Sequence, residues 1–388
     1  LGGEVGLWPA IGLSLLIAAL LGAVLYLLVF RPLRSAPAVA KAVASIGVML
    51  FIQALLAQRV GTSPVSTGPI LPDDTFTLFG QQIRGDRIWF AGVIVLVTAL
   101  LAATFRFTRF GLATRGAAET ERGALVTGLN PDRIALVNWS ISAAVAGISG
   151  ILISPLVPVI PISYTLFIVP ALAAALVGGF TAVVPAVAAG LLIGMTQSLL
   201  VGIQFDHTWL PPTGLAELVP LTLILVVLVV RGRPLPDRGA VVLRTLGRAP
   251  RPRRVVPSTV IAASVGVGAL LVLDGGYRLA LIVTFIFAII SLSSVVVTGY
   301  AGQLSLAQLP LAGVGAFSLW ALSDWGVPFP LAPVLAAVVA TMVGVVFGLP
   351  ALRIRGLPVA VVTLALAVTL DAIWFRNPDG TGGIEGAA

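Results

Sequence analysis

Few residues in this chain have the chemistry to make or break bonds. The single histidine, His207, stands beside Asp206 and two residues before Trp209, a grouping expected of a membrane-interface loop rather than of a metal site or general base. His-Glu-x-x-His, Gly-x-Ser-x-Gly and the Gly-rich Lys-Ser/Thr phosphate loop are all missing, and Lys41 is the only lysine. Cysteine is absent, which removes disulfides and thiolate chemistry. Asp371 and Glu217 fall within apolar runs, where a carboxylate marks a proton or ion relay, but each lies near the outer end of its run and within reach of the interface. No cofactor, no metal and no enzymatic activity are expected from this set.

Two segments carry more pattern than a simple turn or span requires. The first is 106–133, RFTRFGLATRGAAETERGALVTGLNPDR. Good helix formers from Ala117 to Thr127, a cap at Gly128 and the exit at Asn130-Pro131 predict one short helix lying along the inner surface with charge on both sides. Two readings stay open: an amphipathic helix resting on lipid, or a coupling helix whose small residues Ala117, Ala118, Gly123 and Ala124 let a partner protein approach. The second is 298–318, TGYAGQLSLAQLPLAGVGAFS, whose glycines and Pro310 work against an unbroken lipid-facing helix. Gly302, Gln303, Ser305 and Gln308 there are candidates for a translocation pathway, with small-residue helix packing as the alternative.

The elements that must position these segments follow from solubility. A chain of 388 residues that is 58% hydrophobic and 10% charged cannot cover itself with polar surface, and its mean hydropathy is +1.09. Its apolar runs have the length that crosses about 30 Å of hydrocarbon as helix. The expected fold is all-α: a polytopic transmembrane helical bundle of about twelve spans, at 8–30, 39–60, 88–105, 134–156, 165–181, 183–203, 215–230, 256–273, 279–298, 303–323, 330–350 and 357–375. The lack of dyad alternation excludes an outer-membrane barrel. If the spans alternate from an outer start, 18 of the 23 basic residues lie inside and Arg59, Arg84, Arg87, Arg278 and Arg376 outside, a strong positive-inside bias. The net charge of +8 is thus a topological signal, and no nucleic acid partner is expected.

Residues 231–255 are rich in Arg, Pro and Gly and separate two apolar blocks, so the chain divides into 1–230, a cytoplasmic linker at 231–255, and 256–388. A faint repeat relates the blocks. FRPLRSAPAVAKAVA at 30–44 resembles LRIRGLPVAVVTLALA at 352–367, with Arg34 on Arg355, Pro37 on Pro358 and Ala44 on Ala365. The even number of spans between them makes the repeats parallel. The same offset implies helices equivalent to 279–321 before Leu1 and a second counterpart of 106–133 beyond Ala388, so a chain truncated at both ends is expected.

At these residues the sequence resembles the permeases of branched-chain amino acid ABC transporters, with two permease subunits fused in one chain. RPLRSAP at 31–37, FGLATRGAAETERGALVTGLNPDRI at 110–134 and LVGGF at 176–180 resemble one permease; TGYAGQLSLAQ at 298–308, GVGAFS at 313–318, LPALRIRG at 349–356 and TGG at 381–383 resemble its partner. The resemblance implies a coupling loop to an ATPase at Glu119, Glu121, Arg122, Gly123, Ala124 and Gly128. It also implies two cytoplasmic ATP-binding subunits, an extracytoplasmic substrate-binding protein, a small-molecule substrate of the branched-chain amino acid class, and a multi-pass location in a bacterial inner membrane. Family members read Glu-Ala-Ala where Arg122-Gly123-Ala124 stands, and Gly-His where Ala307-Gln308 stands. A gradient-driven carrier of small polar solutes is the rival reading, and would rely on Asp371 or Glu217.

Overall fold

The computed structural model describes residues 6–36, 38–61, 63–68, 70–72, 74–78, 81–160, 164, 166–207, 210–211, 214–231, 255–300, 303, 305–351 and 357–377. Each expected apolar run contains a helix. Helix α1 (Leu7–Leu25) passes through a π turn (Tyr26–Phe30) and a polar corner into α2 (Ala38–Val60). An antiparallel hairpin, β1 (Thr75–Leu78) and β2 (Gln81–Arg84), leads into α3 (Gly85–Phe107). Then come α4 (Arg109–Glu119), α5 (Glu121–Val126), α6 (Pro131–Ile153), α7 (Ile168–Val177), α8 (Val183–Asp206) and α9 (Leu215–Arg231). The remaining helices are α10 (Val255–Val272), α11 (Gly275–Val295) with a π turn at Val296–Tyr300, α12 (Gln308–Asp324), α13 (Leu331–Ala351) and α14 (Leu357–Leu370), which ends in a third π turn at Asp371–Phe375.

Eight of the described helices are long and apolar enough to cross a membrane. The runs at 165–181, 215–230, 303–323 and 357–375 give shorter helices, at Ile168–Val177, Leu215–Leu228, Gln308–Asp324 and Val359–Phe375. The α7 helix stops at ten residues because Gly178, Gly179 and Phe180 turn the chain. Gly179 and Phe180 have φ of 61° and 57°, and a Cβ on Gly178 would stand 2.6 Å from the Ala182 carbonyl oxygen. Large apolar side chains such as Leu28, Phe51, Val95, Leu199 and Ile289 are exposed along these helices, as expected where the surrounding solvent is lipid. The chain is a multi-pass integral membrane protein, which in bacteria means the inner membrane.

By packing, the described residues up to Leu192 form one compact unit and those from Ile193 onward another. Of the expected linker at 231–255, Arg231 ends α9 and Val255 begins α10, and residues 232–254 lie outside the described ones.

In the first unit α1 lies along α6. Both helices present small residues one turn apart, Ala18 and Gly22 facing Ala143 and Gly147. The approach is so close that a Cβ on Gly22 would sit 2.5 Å from the Trp139 carbonyl oxygen and 2.6 Å from the Ala143 Cβ. Below this contact Phe30 stacks on Trp139 with ring centroids 4.3 Å apart. In the second unit α14 is the core helix, buried on every side at Val359, Val361, Val362, Thr363, Ala365, Leu366 and Thr369, with α9, α12 and α13 around it.

A side chain at Gly22 has nowhere to go, so Gly22→Leu is expected to overpack the α1–α6 seam by about 1–3 kcal/mol. The midpoint of thermal unfolding in detergent should fall by several degrees, whereas Gly12→Ala, with no neighbouring atom within 4 Å, should leave it unchanged.

Candidate functional site

The segment 106–133 is built as two helices, not the single one expected over 117–127. Thr108 caps α4, its hydroxyl oxygen accepting from the Gly111 N–H at 3.1 Å. Gly111 is required at the α3–α4 corner, because a Cβ there would run into the Phe105 backbone. Thr120 breaks the helix with extended angles (φ −144°, ψ 116°), as a β-branched residue does readily, and α5 restarts at Glu121. A Cβ on Gly123 would collide with the Thr120 hydroxyl, so the glycine and the break fit each other.

The end of α5 is closed as the sequence indicates. Gly128 has φ 79°; its N–H donates to the Leu125 carbonyl at 3.1 Å, and the Leu129 N–H donates to that of Ala124 at 2.9 Å. Asn130 then caps α6, accepting from the N–H groups of Asp132 and Arg133 at 3.1 and 3.2 Å, with Pro131 in the first turn. These two caps close the C-terminal side of α5, a separate six-residue helix whose start at Thr120 has no side-chain cap.

Of the predicted coupling residues, Glu121, Arg122, Gly123 and Ala124 share α5, Gly128 terminates it, and Glu119 lies across the break at the end of α4. Ala124 is buried at 4% exposure and faces inward, while Leu125 and Val126 are exposed at 55% and 89%. The helix therefore offers an apolar tip, flanked by the exposed Arg122.

Sequence reasoning overlooked what fastens α5. Arg34, in the corner after α1, forms an ion pair with Glu121 and a second with Asp132, where its Nη1 donates to Oδ1 at 2.9 Å. The Tyr26 hydroxyl donates to the same Asp132 oxygen at 3.2 Å, and Arg31 Nε stands 3.6 Å from its other oxygen. Burial works to lower the Arg34 pKa, but the bond from Glu121 and the charges of Glu121 and Asp132 outweigh it, and the guanidinium is held above its ordinary value. In the sequence these residues read as a topology signal and a helix start; only the fold brings 34, 121 and 132 together.

In the second predicted segment Pro310, Gly313 and Gly315 lie inside the unbroken helix α12, and the non-helical stretch comes before it. Between the π turn Val296–Tyr300 and α12, the described residues Gln303 and Ser305, Leu306 and Ala307 are not helical. Gln303, Ser305 and Gln308 are half-buried, and Gly302 lies outside the described residues. The Gln303 N–H donates to the Val297 carbonyl at 3.1 Å, the Ala307 N–H to Ser305 Oγ at 3.3 Å, and the Leu306 N–H to Thr363 Oγ1 of α14 at 2.9 Å. Thr363, which the sequence did not single out, thereby anchors the break to the core helix of its unit. Near the other end of α14, Phe375 stacks on Phe317 at 4.9 Å and Asp371 pairs with Arg376 at 2.5 Å. His207 is exposed with Nδ1 3.1 Å from the Ile203 carbonyl of its own helix, an arrangement that finishes α8.

Residues 1–228 and 277–388 match the family described as branched-chain amino acid transport system / permease component. The chain is 27% identical over 206 residues to the probable branched-chain amino acid transport permease protein LivH of Methanocaldococcus jannaschii, covering 50% of this chain and 64% of that one. It is 26% identical over 191 residues to the high-affinity branched-chain amino acid transport system permease protein LivH of Salmonella typhimurium, covering 48% and 62%. The corresponding LivM protein of Salmonella typhimurium is 33% identical over 104 residues, 26% of this chain and 24% of its own length. The chain thus spans less than two thirds of the length of the curated relatives it matches. No solved structure matches it. With the family match covering most of the sequence and both patterned segments, this chain belongs to the branched-chain amino acid transport system permease components.

Proposed function

We propose that this protein is the membrane-spanning part of an ATP-driven importer for branched-chain or related amino acids, made of two permease blocks at 1–230 and 256–388. Two separate cytoplasmic ATP-binding subunits drive it, and an extracytoplasmic binding protein delivers the substrate. The observation that carries this reading is α5. A six-residue helix closed at Gly128, with a buried Ala124 and an exposed Leu125-Val126 tip, has the form of a piece that seats in a groove of another protein. The names of the LivH and LivM relatives supply the substrate class.

In this reading the ATP-binding subunits close on ATP and displace α5, and the spans rock between outward and inward access. The broken segment with Gly302, Gln303, Ser305 and Gln308 lines part of the path. Its side-chain amides and hydroxyl offer hydrogen bonds to a zwitterionic solute where the helix backbone is interrupted. Substrate moves, and no covalent bond in it changes.

Purification from native membranes in mild detergent should bring down ATP-binding subunits, identified by mass spectrometry. Leu125→Asp with Val126→Asp should abolish their recovery while leaving the chain folded; an unaltered chain that recovers none would sink the proposal. Leucine uptake should be inhibited by isoleucine and valine, and Gln308→Ala should raise the apparent KM for leucine about tenfold, the scale of one lost hydrogen bond to a charged group. Asp371→Asn should transport at the unaltered rate, because its carboxylate is engaged by Arg376. A loss of uptake in that variant would instead favour a gradient-driven carrier.

A further inference from the structure

Arg34 joins four elements at one point. Its backbone lies in the corner after α1, and its carbonyl oxygen accepts from Lys41 Nζ of α2 at 3.0 Å. Its guanidinium reaches Glu121 at the start of α5 and Asp132 in the first turn of α6. Asp132 is fixed in turn by the Tyr26 hydroxyl and by Arg31, both from the π turn and corner that end α1. The only lysine of the chain and five other charged or phenolic side chains are thus spent on one junction.

The junction matters because of how little else holds α5. It has one buried side chain, Ala124, and the Thr127 hydroxyl bonds only to carbonyls of α5 itself, at Gly123 and Ala124. Among the described residues, Glu121–Arg34 is the one ion pair that leaves the helix. A helix joined to its neighbours only through its chain ends tilts when pushed and passes on little of the motion. A lateral tie to the α1–α2 corner converts displacement of α5 into displacement of two spans. Partly exposed ion pairs are individually weak, but a guanidinium shared by two carboxylates forks in fixed directions and resists shear in both.

We propose that Arg34 is a positioning residue that transmits movement of α5 into the α1–α2 corner, so that its loss uncouples ATP hydrolysis from transport without preventing docking. The inference rests on the coupling reading of α5 and adds the route by which force enters the spans.

The test uses the whole transporter, with its ATP-binding subunits and binding protein, in proteoliposomes, and reads leucine moved per ATP hydrolysed. Arg34→Glu should lower that ratio about tenfold while the ATP-binding subunits still co-purify, and Glu121→Arg should lower it to a similar extent. The double variant Arg34→Glu with Glu121→Arg should recover a large part of the ratio, since opposite charges again face each other. Arg34→Gln, which removes the charge without adding repulsion, should show the same drop in a chain whose thermal midpoint is close to that of the unaltered one. A full ratio in Arg34→Gln, a double variant no better than the single ones, or loss of the ATP-binding subunits from Arg34→Glu would each overturn the proposal. If the unaltered chain binds no ATP-binding subunit, the coupling reading itself fails, and this inference with it.

Discussion

Hydrocarbon offers no hydrogen bonds, and every polar backbone group placed in it must find a partner within the protein. That constraint explains the helices, and it also explains what polar side chains are doing inside them. Ser14, Thr98, Ser140, Ser149, Thr284, Ser291 and Thr341 each donate to the carbonyl four residues earlier on their own helix, at 2.6–3.1 Å. These hydroxyls are therefore satisfied within their own helices, whereas Thr369 of α14 donates to the Glu217 carbonyl of α9 at 3.2 Å. Thr363 differs: it donates within its own turn, to Val359 and Ala360, and also accepts the Leu306 N–H from another segment. The broken backbone before α12 is possible because a neighbouring helix supplies the acceptor that its own path has lost.

The same solvent reverses the usual role of apolar side chains. Burying a leucine against another helix gains little when its alternative is lipid, so close backbone approach and dispersion decide which helices adhere. The α1–α6 seam uses Gly22 and Gly147 for this, and α12 uses Gly313, where a Cβ would meet the Phe375 ring at 2.7 Å. Helices α10 and α11 show the converse. They have almost no buried residues, and their mutual contact is confined to places such as Gly266 against Phe285.

How much of this the sequence disclosed follows from the range of each interaction. Span existence was legible because it depends on the local sum of some twenty residues, and the cap at Gly128 and the exit at Asn130-Pro131 were legible because they are set by adjacent residues. The break at Thr120 was not, since Ala117 to Thr127 has helix-forming composition and the interruption lies in one extended residue. The β1–β2 hairpin was missed for a different reason. Its fixing contacts, a buried Asp86 bonded to Arg84 at 2.7 Å and to the Arg87 N–H at 2.8 Å, look in sequence like three ordinary charges before a span. The Arg34 junction spans 98 residues to Asp132 and depends on the α1–α6 seam to bring its parts together. No local pattern encodes it.

The ion pairs also bear on where energy can enter. Asp86 with Arg84, Asp274 with Arg278 and Asp371 with Arg376 are each formed between residues two to five apart near the end of a helix. Pairs this local are neutral as units, and even the buried Asp86 has a partner arginine that is exposed, so they satisfy carboxylates without linking one membrane face to the other. A relay would need acidic groups spaced through the bilayer on different helices, exchanging partners as the spans move. Among the described residues, the ion pairs that connect distant parts of the chain are gathered at Arg34, beside α5 and where the corner after α1 meets the start of α6. An architecture that puts its long-range electrostatics at one face, next to a lightly held helix, is suited to receive work through that face.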